Sequence, residues 1–320
     1  MRVSVVLCIH TLDRYDDFTE AVESVRAQTY DDVELVLVSD GSDAVFEQFR
    51  TDFGEDDDAT LVKLAENRGL LEARNAGAEA ASGDVVAFLD DDAIAAPDWI
   101  ERLVAGYEKR DAIAVGGKMT PEWVAGKPDF LPAEFYWLVG VTHRGFGPDG
   151  DMDAAGEVRN TFGSNISFRR DVFLELGGFD TNIGGRQGDA NLQGGETELC
   201  ARLREEYTEG VWYVPEAEVA HKVFEYRTEI SWLLDRAFWQ GYSKRAMEVL
   251  VPESGSEERG FLSLLAGRFL PMRLRKLVSG PNRERLLKCM MLLVFTGVVG
   301  VGYLYGGIKY SRLFMDGSDR

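Results

Sequence analysis

The sequence predicts an α/β fold with a mostly parallel, doubly wound sheet, and three observations lead there. Short β-branched runs stand at 3–9, 33–39, 60–64, 84–89 and 112–117. Between them apolar residues recur at helical spacing, as in Phe18, Val22 and Val25 and again in Trp99, Leu103 and Tyr107. The connections are short, as parallel βαβ units demand. Sheets of this kind bind ligands beyond the carboxyl ends of their strands, so motifs at strand ends carry most of the functional information.

Met1-Arg2 followed by Val3 to Ile9 has the look of a signal peptide, but Asp13, Arg14, Asp16 and Asp17 follow with no small-residue cleavage site. It reads as the first strand, which leaves the main domain in the cytoplasm. Residues 119–170 are irregular, aromatic and rich in Gly and Pro, as expected of a substrate-binding insert. Helices are expected near 170–176, 196–207 and 228–250, and a polar linker at 252–260. Cys8, Cys200 and Cys289 are too widely spaced for a disulfide framework or a zinc site and read as packing residues.

The 320 residues carry a formal net charge of −20. That excludes a binder of nucleic-acid backbone, which needs a basic face, and suits a protein dissolved in high salt. The charge is unevenly placed. Residues 1–256 hold 24 basic and 50 acidic side chains, whereas 257–290 hold eight basic and three acidic. Twenty uncharged residues then run from Cys289 to Ile308, close to the ~20 that span a bilayer as a helix. Arg273, Arg275, Lys276, Arg283, Arg285 and Lys288 precede that run, the arrangement of a cytoplasmic flank. A buried core helix is the alternative, because five glycines dilute the hydrophobicity. The expected organisation is a catalytic domain at 1–250, a linker and basic juxtamembrane segment at 251–288, a transmembrane helix at 289–308 and a tail at 309–320.

The run Asp84-Val-Val-Ala-Phe-Leu-Asp90-Asp91-Asp92 brings three carboxylates to the end of an apolar strand. On an extended chain Asp90 and Asp92 point the same way and can share one cation, with Asp91 turned aside as a substrate contact. Oxygen ligands of this kind suit Mn²⁺ or Mg²⁺. A solvated acidic turn is the plainer reading.

In this setting the chain resembles glycosyltransferase family 2, whose inverting members have the GT-A fold, a Rossmann-like sheet with an Asp-X-Asp metal motif. Val3-Ser-Val-Val-Leu-Cys-Ile-His-Thr11-Leu-Asp-Arg14 is similar to the family's first strand and nucleotide loop, and Ser24-Val-Arg-Ala-Gln28-Thr to its first helix. Glu34-Leu-Val-Leu-Val-Ser-Asp40-Gly-Ser42 is similar to its second strand, and Asn67-Arg-Gly69 through Arg74-Asn75-Ala-Gly77 to the segment along the nucleotide. The likeness covers about residues 3–245. It implies that Asp40 contacts the base, that Thr11, Arg14, Asn67, Arg74 and Asn75 hold the nucleotide, and that Asp90 and Asp92 hold the metal with His221 beside it. Gly163-Ser164-Asn165 resembles the loop near the donor sugar, and Trp239, with Gly241 and Ser243, a segment closing over the diphosphate.

Two departures stand out. His10-Thr11-Leu12 replaces a frequent Thr-Tyr-Asn, and Gly195-Glu196 replaces the Glu-Asp pair ahead of the last catalytic helix. Glu196 is then the general base and Glu198 its competitor, unless both are merely first-turn acids favoured by the helix dipole.

The resemblance implies a transferase with a UDP-sugar donor and a divalent cation. Within the family the chain resembles haloarchaeal enzymes that extend dolichyl-phosphate-linked glycans for surface-protein N-glycosylation, one of which adds glucuronate to glucosyl-dolichyl phosphate. A membrane-confined dolichyl-phosphate acceptor is therefore expected. A glucuronate donor would need a cation, for which Arg159 and Arg169 are candidates. A sugar nucleotidyltransferase would want a Gly-rich phosphate loop after the first strand, and Cys8 to Arg14 contains no glycine. A non-catalytic, membrane-tethered carbohydrate-binding domain is the other alternative, kept open by Gly195-Glu196.

Overall fold

All seven residues of the first strand, β1 (Val3–Ile9), are buried, as in a strand covered by helices on both faces. The computed structural model describes residues 1–187, 190–250 and 256–316. In it β1 pairs in parallel with β2 (Val33–Ser39) on one side and β4 (Val85–Leu89) on the other, and β3 (Ala59–Lys63) extends the sheet beyond β2. The other half is mixed. Strand β8 (Ile166–Arg169) lies antiparallel between β4 and β6 (Ala114–Trp123), and β11 (Val211–Val223) runs parallel to β6. Short antiparallel strands β5 (Ala93–Ala95) and β7 (Gly156–Val158) pair with β11. A separate ribbon joins β9 (Gly185–Gln187) to β10 (Ala190–Leu192).

Alternation along β1 divides the core. Val3, Val5, Leu7 and Ile9 enter one apolar layer and Val6 and Cys8 the other. The first layer is closed by α1 (Tyr15–Arg26), α2 (Asp43–Phe53) and α4 (Trp99–Arg110), with Phe18 stacked on Phe49 at 5.2 Å. Helices α3 (Leu70–Ala80), α5 (Arg170–Glu175) and α6 (Gly195–Tyr207) close the second, around Phe88, Phe168, Phe173 and Phe179. All three cysteines are free and buried, as packing residues should be.

Strand β8 falls inside the stretch expected to be irregular. Four residues with only Ile166 and Phe168 apolar give too short a pattern to read. The expected linker falls partly on 251–255, outside the described residues.

Helix α7 (Ile230–Leu250) packs against β10 and is followed by α8 (Ser256–Leu264), one π-turn at Leu265–Phe269, α9 (Leu270–Ser279) and α10 (Arg283–Asp316). Arg273 of α9 reaches the fully buried carboxylate of Glu134. Within α10, Arg283–Tyr310 is the one described helix long and apolar enough to cross a membrane by length and composition.

Candidate active site

The three carboxylates after β4 do not continue the strand. Asp91 and Asp92 form a turn, closed by the Ala93 N–H donating to the Asp90 carbonyl at 3.2 Å. The alternation of an extended chain no longer applies, and Asp90 and Asp92 diverge. Asp90 accepts from Arg74 Nη2 at 2.6 Å, while its N–H donates to Ser164 Oγ at 2.9 Å. Asp92 turns to the other side, where His221 Nε2 lies at 3.3 Å, Arg14 Nη2 at 2.8 Å and Arg227 Nη2 at 3.0 Å. Burial opposes the charge of Asp92, but His221 and the two guanidiniums outweigh it and hold its pKa below the ordinary carboxylate range. Asp91 is pushed up to about 7, chiefly by burial, with Arg14 opposing and Asp92 and Asp90 adding to the rise.

Arg74 is the hub of the arrangement. It sits on α3 with 2% of its surface exposed and its guanidinium over the rings of Phe88 and Phe179. Burial works against its charge, yet Asp90 and Glu196 outweigh that and raise its pKa. While Nη2 holds Asp90, Nη1 donates to Glu196 Oε1 at 3.1 Å. Glu196 stands in the first turn of α6, entered through Gly194 at φ +144°, a backbone conformation that L side chains rarely adopt. Opposite it, a Cβ on Gly163 would lie 2.0 Å from Glu196 Oε1, so glycine at 163 makes room for the carboxylate. Glu198 faces elsewhere. Arg202 grips it at 2.5 and 2.7 Å and also donates to the Gly178 carbonyl, which ties α6 to the loop after α5.

Arg74, Asp90, Ser164, Glu196 and His221 line one cleft of about 1950 Å³, with Arg14, Asp91 and Asp92 joined to it through Arg227 and His221. Asp40, at the carboxyl end of β2, accepts the N–H groups of Arg68 and Gly69 at 2.8 and 3.0 Å and so folds the Asn67-Arg-Gly turn over that strand end. Thr11 caps the turn that presents Arg14.

Three expected residues are committed elsewhere. Asn75 clasps Phe179 N and O at 2.9 Å each. Trp239 donates to Asp235 at 3.2 Å and packs on Phe238 and Tyr242, while its α7 neighbours Arg236, Gln240 and Ser243 line the cleft. Asn165, fully buried, accepts from Trp99 Nε1 and donates to the Lys118 and Ala217 carbonyls. Asn165→Ala strands two buried polar partners, Trp99 Nε1 and the Ala217 carbonyl, and the half-buried Lys118 carbonyl. Thermal denaturation is expected to show a loss of about 2–4 kcal/mol, at the ~1–3 kcal/mol scale of each buried group left unsatisfied. Of the two cations suggested for a donor carboxylate, Arg159 lines the cleft, whereas Arg169 pairs with Asp111 at 2.7 Å.

Two cleft residues carry no signature in the linear sequence strong enough to single them out. Arg227 touches both Asp92 and His221, the latter at 3.1 Å. Arg236 has a buried Nε without a partner, and burial together with Arg227 pushes its pKa down to about 10. The recurrence of polar residues at 236, 240 and 243, one face of the helix, was the available signal.

Among the described residues no three His, Cys, Asp or Glu side chains converge on one point, so Asp90, Asp92 and His221 are not a ready-made cage. The donors nevertheless fit a hard divalent cation. Asp92 and His221 are a close O and N pair, and His221 Nδ1 is buried without a partner. Cations of the Mg²⁺ type are commonly held by one or two carboxylates plus substrate phosphates.

The model of glycosyl transferase family 2 matches residues 4–177. The glucosyl-dolichyl phosphate glucuronosyltransferase of Haloferax volcanii is 51% identical over 307 residues, covering 96% of each chain. The chain belongs to glycosyl transferase family 2. Among solved structures, a mannosyltransferase of Pyrobaculum calidifontis in complex with GDP-Man and Mn²⁺ superposes with a TM-score of 0.59 at 17% identity, over 95% of this chain and 87% of that one. S. aureus TarS with UDP-GlcNAc gives 0.55 at 14% identity, over 93% and 82%. At such identities the likeness is one of fold, and this family 2 enzyme has the GT-A fold.

Proposed function

We propose that this glycosyltransferase moves a sugar, glucuronate before others, from a UDP-sugar to a dolichyl-phosphate-linked glycan with inversion, as a step of surface-protein N-glycosylation on the cytoplasmic side of the cell membrane. The observation that carries the chemistry is Arg74, which holds Glu196 in the same cleft as the aspartate run. The near full-length likeness to a glucuronosyltransferase acting on glucosyl-dolichyl phosphate supports the choice of sugar and acceptor.

The acceptor hydroxyl attacks the anomeric carbon as its proton passes to Glu196, and the electron pair of the breaking bond leaves with UDP. One displacement inverts the centre. Arg74 fixes the carboxylate that takes the proton. A cation held by Asp92 and His221, with Asp90 or Asp91 alongside, would supply charge neutralisation at the departing diphosphate. Arg14 and Arg227 border the same place with guanidiniums suited to phosphate. The base is assigned to Asp40 and the Asn67-Arg-Gly turn, a reading supported by their position at the carboxyl end of β2. A membrane-held enzyme also meets a lipid-linked acceptor at a higher effective concentration.

The test is transfer from labelled UDP-glucuronate or UDP-glucose to glucosyl-dolichyl phosphate, with and without chelator. Transfer from UDP-glucuronate is expected, abolished by chelation and restored by Mn²⁺ or Mg²⁺. Full turnover in excess chelator removes the metal role. Equal rates on the lipid-linked and the free sugar remove the lipid acceptor.

A further inference from the structure

Helix α10 is apolar, yet it is built into the catalytic domain. Its contacts advance along α7 in the same sense. Leu292 and Phe295 join the core layer that contains Leu233 and Ala237, Gly302 abuts the Phe238 carbonyl, and Gly306 meets Tyr242 and Arg245. A Cβ on Gly302 would stand 1.9 Å from Phe238 O, and one on Gly241 2.0 Å from Val299 O. The two backbones touch there, and any side chain would part them.

The partner helix is not a membrane helix. It carries Asp235, Arg236, Lys244, Arg245 and Glu248, and Tyr303 of α10 donates to Glu248. Thr296, Val299, Gly300 and Tyr303, in the middle of the uncharged run, line the same cleft as Asp90 and Glu196. A bilayer crossed by α10 at this point would have to take in α7 and the cleft wall, and each charged side chain near the midplane costs about 2.5–3.5 kcal/mol on insertion scales.

The opposite side of α10 is open. Met290, Leu293, Val301, Leu304 and Ile308 are each more than half exposed. Ahead of them α9 exposes Leu274 and Val278 beside the exposed cations Arg275 and Lys276. Residues 1–256 are strongly acidic and would be pushed from anionic head groups, whereas 257–290 are net basic and would be drawn to them. The charge therefore favours turning this part of the molecule toward an anionic membrane.

We propose that α10 docks the enzyme onto one leaflet of an anionic bilayer, lying against it with its inner side held by α7, and that the chain does not cross. The inference rests on the membrane reading of the proposed function and sharpens it. A lipid acceptor held in that leaflet reaches the cleft along the wall formed by Thr296 to Tyr303, so its sugar enters from the membrane side.

The experiment adds the full-length chain, tagged at both ends, to sealed vesicles containing anionic phospholipid, and then adds protease outside. Docking exposes both tags to cleavage in the same proportion. A C-terminal tag protected while the N-terminal tag is cut shows a crossing and overturns the proposal. Failure to sediment with the vesicles at all overturns it together with the membrane reading, and transfer assayed in detergent then tells whether the glycosyltransferase chemistry stands apart. Leu304→Glu, on the exposed side, is expected to weaken vesicle binding at least tenfold while turnover in detergent is unchanged. Unaltered binding by this variant also counts against docking.

Discussion

Glu196→Gln lowers turnover by about 10²–10⁴-fold, the scale of losing a general base, while donor affinity changes little. Glutamine keeps the length of the side chain and an oxygen for Arg74 Nη1, so the cleft keeps its shape and loses only the proton acceptor. The companion is Glu198→Gln. Glu198 is gripped by Arg202 and does not line the cleft, so its loss belongs in thermal stability and not in the rate of a bound complex. Single-turnover rates and donor titration separate the two effects. Should Glu198→Gln abolish chemistry while Glu196→Gln retains it, the base is misassigned.

The parallel half of the sheet was legible because β1, β2 and β4 are apolar runs bounded by turn residues, and burial on both faces leaves no other reading for them. The aspartates were legible as a candidate site because they end such a strand. Their geometry was not. Alternation fixes side-chain direction only while the chain stays extended, and Asp91 and Asp92 form a turn. The role of Arg74 was equally hidden, since it depends on Asp90 and Glu196 meeting across 16 and 122 residues of chain. Asn165 lies beside a true cleft residue, Ser164, and one step along the chain into β8 decides which faces the cavity and which the core. In α10 the composition announces an apolar surface but not what covers it. That depends on Gly241 and Gly302, which a linear reading has no reason to pair.

Arg74→Met is the harsher substitution. Methionine fills much of the same volume but leaves Asp90 and Glu196 facing one another with their shared cation gone. Removing one partner of a buried ion pair costs about 3–5 kcal/mol, so a fall in melting temperature of several degrees is expected. Turnover is expected to fall by about 10²-fold or more, at the upper end of what misplacement by about 1 Å costs, because repulsion turns the Glu196 carboxylate away from Gly163. Arg74→Lys distinguishes charge from geometry. An ammonium restores the charge but cannot hold two carboxylates with a fixed fork, so stability should recover further than turnover. If Arg74→Met and Arg74→Lys both lose stability while the rate per folded molecule stays at the wild-type value, Arg74 serves the fold alone and the link from Asp90 to Glu196 has no part in catalysis.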